Sequence, residues 1–308
     1  MDEKLIKKAL AKQGYRFVGD HSAMKLCLWC KRALLNDQTC YKHKFYGIQS
    51  WRCVQCSVSV FNCFNNCQFC WRDLDYTLPG FVENPGDPEK IIDGLIEQHK
   101  LYLQSFKGNA KLDFDRFEEA MQPKHFAISL AGDATLYPLL PDFIRALDKR
   151  GITSFVVTNG LMPEVLKKIK PTQLYISLDA YNKELYDKVC RPSIDDAWER
   201  LMESLKLLKK FERSCIRLTL FKNLNIGLDY AELLKQIKFK FLEVKAGMAV
   251  GYAQYRLLYK DMLRHSEIQK ISDDLAERMN WKIIDESSRS RVCLLMKEDL
   301  KERKLNLD

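Results

Sequence analysis

Apolar and polar positions along this chain fall into two alternating patterns. Segments with apolar residues three and four apart read as helices, and short near-continuous apolar runs read as strands buried on both faces. The helical segments are "DPEKIIDGLIEQHKLYLQSF" (87–106), with Pro88 near its start, and "LLPDFIRALDKRG" (139–151), closed by Gly151. "LMPEVLKKI" (161–169), a stretch around 194–212 and one near 229–237 follow. Between them lie the strands "HFAISLAG" (125–132), "TSFVVTNG" (153–160), "QLYISLDA" (173–180), "CIRLTLF" (215–221) and "FLEVKAG" (241–247). "SVSVF" (57–61) supplies the first strand of the series. About six strand–helix units predict an α/β fold with a parallel sheet, a full or partial (β/α)6-type TIM barrel with its site at the C-terminal strand ends. Residues 1–57 form an N-terminal cysteine-rich extension, 58–297 the barrel and 298–308 a charged tail.

Composition narrows the setting. The 308 residues are 46% hydrophobic and 30% charged, which predicts a globular chain with a sizeable core. No apolar run reaches the roughly 18 residues of a membrane span, and "MDEKLIKKAL" is a charged amphipathic start rather than a signal peptide. The expectation is a cytoplasmic protein that acts as a monomer, without a membrane partner. Fifty Lys and Arg against 41 Asp and Glu give a net charge of +9, which permits a nucleic-acid partner without demanding one. The lysine runs at 166–170, 205–213 and 235–240 read as solvated helix faces.

Cysteine placement changes the picture. Of eleven cysteines, eight lie between Cys27 and Cys70, while Cys190, Cys215 and Cys293 are scattered in apolar surroundings as ordinary buried thiols. In a reducing compartment such clustering points to metal or redox chemistry rather than disulfides. "FNCFNNCQFCWR" (61–72) sets Cys63, Cys67 and Cys70 at C-x3-C-x2-C spacing directly after the first strand. Thiolates hold iron–sulfur clusters, and three of them on a four-iron cubane leave one iron open for another ligand. The second group is spread wider: Cys27, Cys40 and Cys53 are evenly spaced, with Cys30 and Cys56 completing "CLWC" and "CVQC". Two C-x2-C pairs are also the signature of a zinc ribbon, so spacing leaves zinc and a second iron–sulfur cluster both open.

The C-x3-C-x2-C motif after a strand resembles the radical S-adenosylmethionine superfamily. The resemblance implies that the free iron chelates the methionine moiety of S-adenosylmethionine and that one-electron reduction releases a 5′-deoxyadenosyl radical. It also implies cofactor contacts at successive strand ends. These fall on Gly132 and Asp133 in "LAGDATLYP", on Thr158 and Asn159 in "VTNG", and on Ser177 and Asp179 in "SLDA". The superfamily pattern Gly-Glu-Pro-Thr is here Gly132-Asp133-Ala134-Thr135, and the aspartate is one methylene shorter.

Over residues 15–297 the chain resembles a narrower family, the archaeal 4-demethylwyosine synthases of the wybutosine pathway. The similarity is carried by the cysteine-rich stretch 26–72, by 125–138 and 171–192, and by "EVKAGMAVGY" (243–252) and "DESSRSRVCLL" (285–295). It implies that Cys27, Cys40 and Cys53 hold a second [4Fe–4S] cluster, that Cys30 and Cys56 are not ligands, and that Lys42 forms a Schiff base with pyruvate. Lys44 lies close enough to be confused with it. The implied reaction joins pyruvate to N1-methylguanosine, next to the anticodon of tRNA(Phe), to form the tricyclic base. The implied partners are that anticodon loop, pyruvate and an electron donor such as a flavodoxin or ferredoxin. Arg191, Arg213, Arg217, Arg289 and Arg291 are candidate RNA contacts. Two rivals stand beside this reading. One is a different radical enzyme, a glycyl-radical activase or peptide modifier, which has no use for the 27–53 cysteines. The other is a non-catalytic zinc-ribbon RNA-binding protein with zinc at 27/30/53/56.

Overall fold

The computed structural model describes residues 3–306. Ten strands form one sheet: β1 (Arg16–Val18), β2 (Ser22–Met24), β3 (Cys53–Ser57), β4 (His125–Ile128), β5 (Thr153–Thr158), β6 (Gln173–Ser177), β7 (Ser214–Leu220), β8 (Phe241–Ala246), β9 (Lys282–Ser287) and β10 (Val292–Met296). Their order is β1-β2-β3-β4-β5-β6-β7-β8-β10-β9. β3 to β8 run parallel as sequential neighbours, while β1–β2 on one side and β10–β9 on the other add antiparallel edges. The two ends of the sheet do not pair, so the barrel is partial.

Strand parity divides the interior. Val54, Cys56, Phe126, Ile128, Val156, Leu174, Ile176, Ile216, Leu218, Leu242 and Val244 point outward into one core with the covering helices. Residues of opposite parity, Phe155, Tyr175, Cys215 and Phe241, point inward. There they meet Tyr41, Phe45 and Tyr46 from the short helix Tyr41–Tyr46, which fills the lower part of the barrel. That helix ends at Gly47, whose φ of 77° is a left-handed C-cap and whose N–H bonds the His43 carbonyl.

The helices expected at 87–106, 139–151, 161–169, 194–212 and 229–237 occur at Pro88–Gln104, Leu140–Lys149, Pro163–Leu166, Ala197–Leu207 and Tyr230–Lys235. The first strand differs from expectation: it is Cys53–Ser57, not 57–61. Pairing with β4 runs from Cys53↔His125 to Cys56↔Ile128, and the chain then leaves the sheet. The serines that made "SVSVF" look like a strand serve a loop instead. Ser57 Oγ donates to the Ala131 carbonyl at 2.5 Å and Ser59 Oγ to the Asp133 carbonyl at 2.6 Å. The extension thus supplies the first barrel strand and, through β1–β2, one sheet edge. Among the described residues, no helix is long and apolar enough to cross a membrane.

Candidate functional site

Cys63, Cys67 and Cys70 lie on the loop that follows β3. Backbone bonds fix its shape: Cys63 N–H to the Leu78 carbonyl (3.0 Å), Gln68 N–H to Val189 (2.9 Å) and Cys70 N–H to Cys67 (3.0 Å). Arg256 clamps it from outside, donating to the carbonyls of Gln68 at 3.0 Å, Cys70 and Arg72. The half-buried Arg72 guanidinium stands beside the Cys70 and Cys63 sulfurs; burial opposes its charge and those sulfurs restore it. Burial pushes the Cys63 thiol up to about 12. A site that carries a thiolate here therefore needs a cation or metal to hold it. Cys190, read from sequence as an ordinary buried thiol, lines the same cavity as Cys67 and is close enough to push the Cys67 thiol up. Nothing in "KVCRP" signalled this contact.

The loop lines a cavity of about 460 Å³ together with every strand-end residue named from sequence: Gly132, Asp133, Thr158, Asn159, Ser177 and Asp179. Gly132 has φ +65°, and a Cβ there would sit 1.8 Å from the Ser59 carbonyl oxygen. The close approach it permits is to the cysteine loop, sealed by the Asp133 N–H on the Asn62 carbonyl at 2.8 Å. Both Asp133 oxygens are engaged within the protein. Oδ1 accepts from the Thr135 N–H (2.9 Å) and hydroxyl (2.5 Å), and Oδ2 from the Thr158 hydroxyl (2.9 Å) and Asn159 N–H (2.7 Å). The shorter acid thus ties the β4 end to the β5 end. Asn159 also turns its amide toward Cys63 Sγ at 3.6 Å. Burial pushes Asp179 up to about 7, although the Thr219 N–H bonds its carboxylate at 3.1 Å.

The other trio is assembled from three separate elements. Cys27 and Cys40 are the N-cap residues of the short helices Leu28–Leu34 and Tyr41–Tyr46, and Cys53 opens β3. Their thiols share a cavity of about 550 Å³. Burial drives Cys40 and Cys53 up to about 12 and raises Cys27. The nearby charge of Lys42 opposes the rise in all three. Cys56 is three residues from Cys53 on one strand, so it faces the helix layer and packs in the outer core. Cys30 donates to the Trp51 carbonyl at 3.4 Å. Strand parity therefore breaks the 27/30/53/56 ribbon. Among the described residues, the one set of three His, Cys, Asp or Glu ligand atoms within 4.8 Å of one another is that of His265, Glu286 and Cys293, so neither cysteine trio is that close. A single zinc ion with Zn–S of about 2.3 Å needs its sulfurs closer than this, whereas a multi-iron cluster spans a wider set. The thiols as placed are thus too far apart to share a single zinc ion.

Lys42 and Lys44 part ways. Lys42 is buried and lines the second cavity, its Nζ 4.5 Å from the centroid of Tyr175 and 5.1 Å from that of Phe155. Burial first, then the Arg217 charge, pull its pKa below the ordinary lysine value. Lys44 points outward to Asp285 at 2.6 Å and to the Glu286 carbonyl at 2.8 Å. Beneath Lys42 lies a network the sequence reading missed. Glu243, fully buried, accepts from Arg217 Nε (2.9 Å), the Tyr41 hydroxyl (3.0 Å) and the Tyr46 hydroxyl (2.8 Å). Burial would raise this carboxyl, but Arg217 and Lys42 hold it below the usual range. Charged residues inside "CIRLTL" and "FLEVKA", otherwise apolar strands, were the available signal.

The two cavities share a wall made by Trp71, Ser129, Val157, Arg217 and Lys245. Lys245 follows Glu243 on the inward face of β8, and its Nζ donates to the Ser290 carbonyl at 2.7 Å. Burial, then Arg217, bring it down to about 8. The arginines named as RNA contacts are largely committed elsewhere. Arg217 is in the Glu243 pair, Arg213 donates to Gln173 and the Arg303 carbonyl, and Arg291 donates to the Leu263 carbonyl. Arg289 is exposed and paired with Asp37 at 3.1 Å, and Arg191 is exposed at a left-handed helix end.

Comparison with known proteins bears on this geometry. Residues 57–235 match the family model for the radical SAM superfamily, and 238–297 the model for wyosine base formation. The chain is 42% identical over 308 residues to the S-adenosyl-L-methionine-dependent tRNA 4-demethylwyosine synthase of Methanocaldococcus jannaschii, covering 98% of this chain and 97% of that protein. It is 38% identical to the Homo sapiens synthase TYW1 over 94% of this chain, which spans 40% of that longer protein. Among solved structures, "Structure of TYW1 with a lysine-pyruvate adduct bound" superposes with a TM-score of 0.90 at 40% identity, covering 98% of this chain and 99% of that one. "Crystal structure of archaeal TYW1" gives a TM-score of 0.81 at 37% identity, covering 100% of this chain and 99% of that one.

Proposed function

The chain belongs to the radical S-adenosylmethionine tRNA 4-demethylwyosine synthases, and from that premise we propose that it condenses N1-methylguanosine of tRNA(Phe) with pyruvate, using one [4Fe–4S] cluster in each cysteine chamber. Its enzyme class implies S-adenosylmethionine, a [4Fe–4S] cluster and a tRNA substrate. The single observation that carries the finer reading is the arrangement of two thiol-lined chambers on one wall, with a buried lysine in the second.

When bound, the cluster and S-adenosylmethionine would supply a 5′-deoxyadenosyl radical, the chemistry needed to activate the N1-methyl group. Cys63, Cys67 and Cys70 are the residues to hold that cluster, and Cys27, Cys40 and Cys53 the other. Gly132, Asp133, Thr158, Asn159, Ser177 and Asp179 shape the cofactor side. Asp133 fixes Thr158 and Asn159, so its contribution is orientation of that strand end. Lys42 is the nucleophile for pyruvate: its neutral amine adds to the keto carbon and expels water, giving an imine. Burial and the Arg217 charge favour the neutral amine that this step needs. Tyr175 and Phe155 pack against the amine from the inner core of the barrel. The shared wall lets a base unstacked from the anticodon loop present its methyl group to both chambers. Residues 1–57 carry the second cluster, 58–297 the radical machinery, and a flavodoxin or ferredoxin supplies the electron.

The test is a reaction of anaerobically reconstituted enzyme with reductant, S-adenosylmethionine, pyruvate and tRNA carrying N1-methylguanosine, read by nucleoside mass spectrometry. The tricyclic nucleoside is expected only when all components are present. Its appearance without pyruvate, or its absence with every component, overturns the substrate assignment.

A further inference from the structure

Four cationic side chains line the second chamber: Lys25, Lys42, Arg217 and Lys245. Three are accounted for. Lys25 Nζ rests over the Tyr15 ring, 5.2 Å from its centroid. Lys42 is the amine assigned above to the keto carbon. Arg217 is paired with Glu243 at 2.9 Å and bonds the Tyr41 hydroxyl at 3.0 Å. Lys245 lines both chambers, as Lys25 does not, with its Nζ 5.8 Å from the centroid of the Tyr41 ring. Its ammonium has three N–H donors, and its hydrogen bond goes to a neutral acceptor, the Ser290 carbonyl at 2.7 Å. Among the described residues, no carboxylate forms an ion pair with it.

Its place in the barrel is specific. Arg217 pairs with Glu243 across β7 and β8, and Thr219 pairs with Lys245 one inward-facing level closer to the C-terminal strand ends. Lys245 therefore stands above the neutralised Arg217–Glu243 pair, in the wall common to both chambers. The Ser290 carbonyl, in the turn between β9 and β10, holds its stem in position. Lys245 is half-buried; a cation drawn partly out of water without an anionic partner is costly, and a bound anion offsets that cost.

Resting on the pyruvate reading above, we propose that Lys245 binds the carboxylate of the 2-oxo acid held on Lys42, fixing the acid at the wall between the chambers. Lys42 takes the keto carbon, which leaves the carboxylate as the one anionic group of the molecule. Arg217 has a carboxylate already, so Lys245 is the available cation. A carboxylate oxygen is a charged acceptor that pairs well with an ammonium donor. Lys245 is thus a substrate-contacting residue, and it separates acids from neutral ketones.

Borohydride trapping on reconstituted enzyme tests this, with the adduct on Lys42 read by peptide mass spectrometry. The probes are pyruvate and methyl pyruvate, which keeps the carbonyl and masks the charge. In Lys245→Met the pyruvate concentration for half-maximal trapping is expected to rise about ten- to a hundred-fold, the worth of a charge-assisted hydrogen bond. Methyl pyruvate trapping should stay within about twofold, and Lys245→Arg should restore most of the pyruvate affinity. An unchanged pyruvate requirement in Lys245→Met overturns the proposal. So does an equal loss for both probes, which marks a structural role. If wild-type enzyme traps neither probe on Lys42, the pyruvate reading itself falls.

Discussion

The two cysteine trios of this protein are assembled by opposite routes. Cys63, Cys67 and Cys70 come from one continuous loop, held by backbone bonds to Leu78 and to residues 189–193 and by Arg256. Cys27, Cys40 and Cys53 come from two helix N-caps and a strand start, each placed by a different neighbour. A loop motif carries its geometry in its spacing. A dispersed motif carries it in the fold, and its thiols meet only when the sheet, the hairpin β1–β2 and the helix Tyr41–Tyr46 are all in place. The difference also sorts their surroundings: the local trio shares its cavity with Gly132, Asp133, Thr158, Asn159, Ser177 and Asp179, and the dispersed one with the buried Lys42.

Substitutions can break this comparison from either side. The largest effect is expected from Cys67→Ala, which should reduce S-adenosylmethionine cleavage to background while Lys42 still traps pyruvate. Loss of trapping along with cleavage would mean the chambers are not independent. Lys42→Ala should give the reverse, with cleavage within about threefold of wild type and tricyclic product down by about a thousandfold or more. Chromatographic assay of 5′-deoxyadenosine beside nucleoside mass spectrometry separates the two, and normal product formation would remove Lys42 from the chemistry.

Gly132→Ala acts on the local trio alone. Its Cβ would fall 1.8 Å from the Ser59 carbonyl, at a φ of +65°. A loss of about 2–4 kcal/mol is expected in denaturant unfolding of the reconstituted protein. A wild-type midpoint would show that the cysteine loop is not held as described. Cys56→Ala should cost about 1 kcal/mol of packing and leave metal content unchanged, because the residue faces the outer core. A drop in bound metal would restore the zinc-ribbon geometry. The smallest effect belongs to Lys44→Ala. Its ion pair with Asp285 is at the surface, so product yield should stay within about twofold in the same assay.

Much of the barrel was legible because its strands are apolar runs and its helices carry caps and breakers at their ends. The first strand was misplaced because "SVSVF" alternates like a strand while its serines bond loop carbonyls, information that lies in Ala131 and Asp133, some seventy residues away. The cysteine loop was legible from spacing. For the dispersed trio, spacing left zinc and iron–sulfur open, and only the parity of β3 separates Cys53 from Cys56. Lys42 and Lys44 look alike in "CYKHK"; the fold buries one and pairs the other. The Arg217–Glu243 pair and Lys245 were visible only as charges inside apolar strands, and partners on adjacent strands cannot be assigned without the register.

The central claim is one cluster in each chamber, and iron content measures it directly. After anaerobic reconstitution, wild type should hold about eight irons, and a Cys27/Cys40/Cys53→Ala triple variant about four, with S-adenosylmethionine cleavage retained. About four irons in both proteins, with zinc bound to wild type and absent from the variant, would contradict the account and leave the second chamber without its cluster.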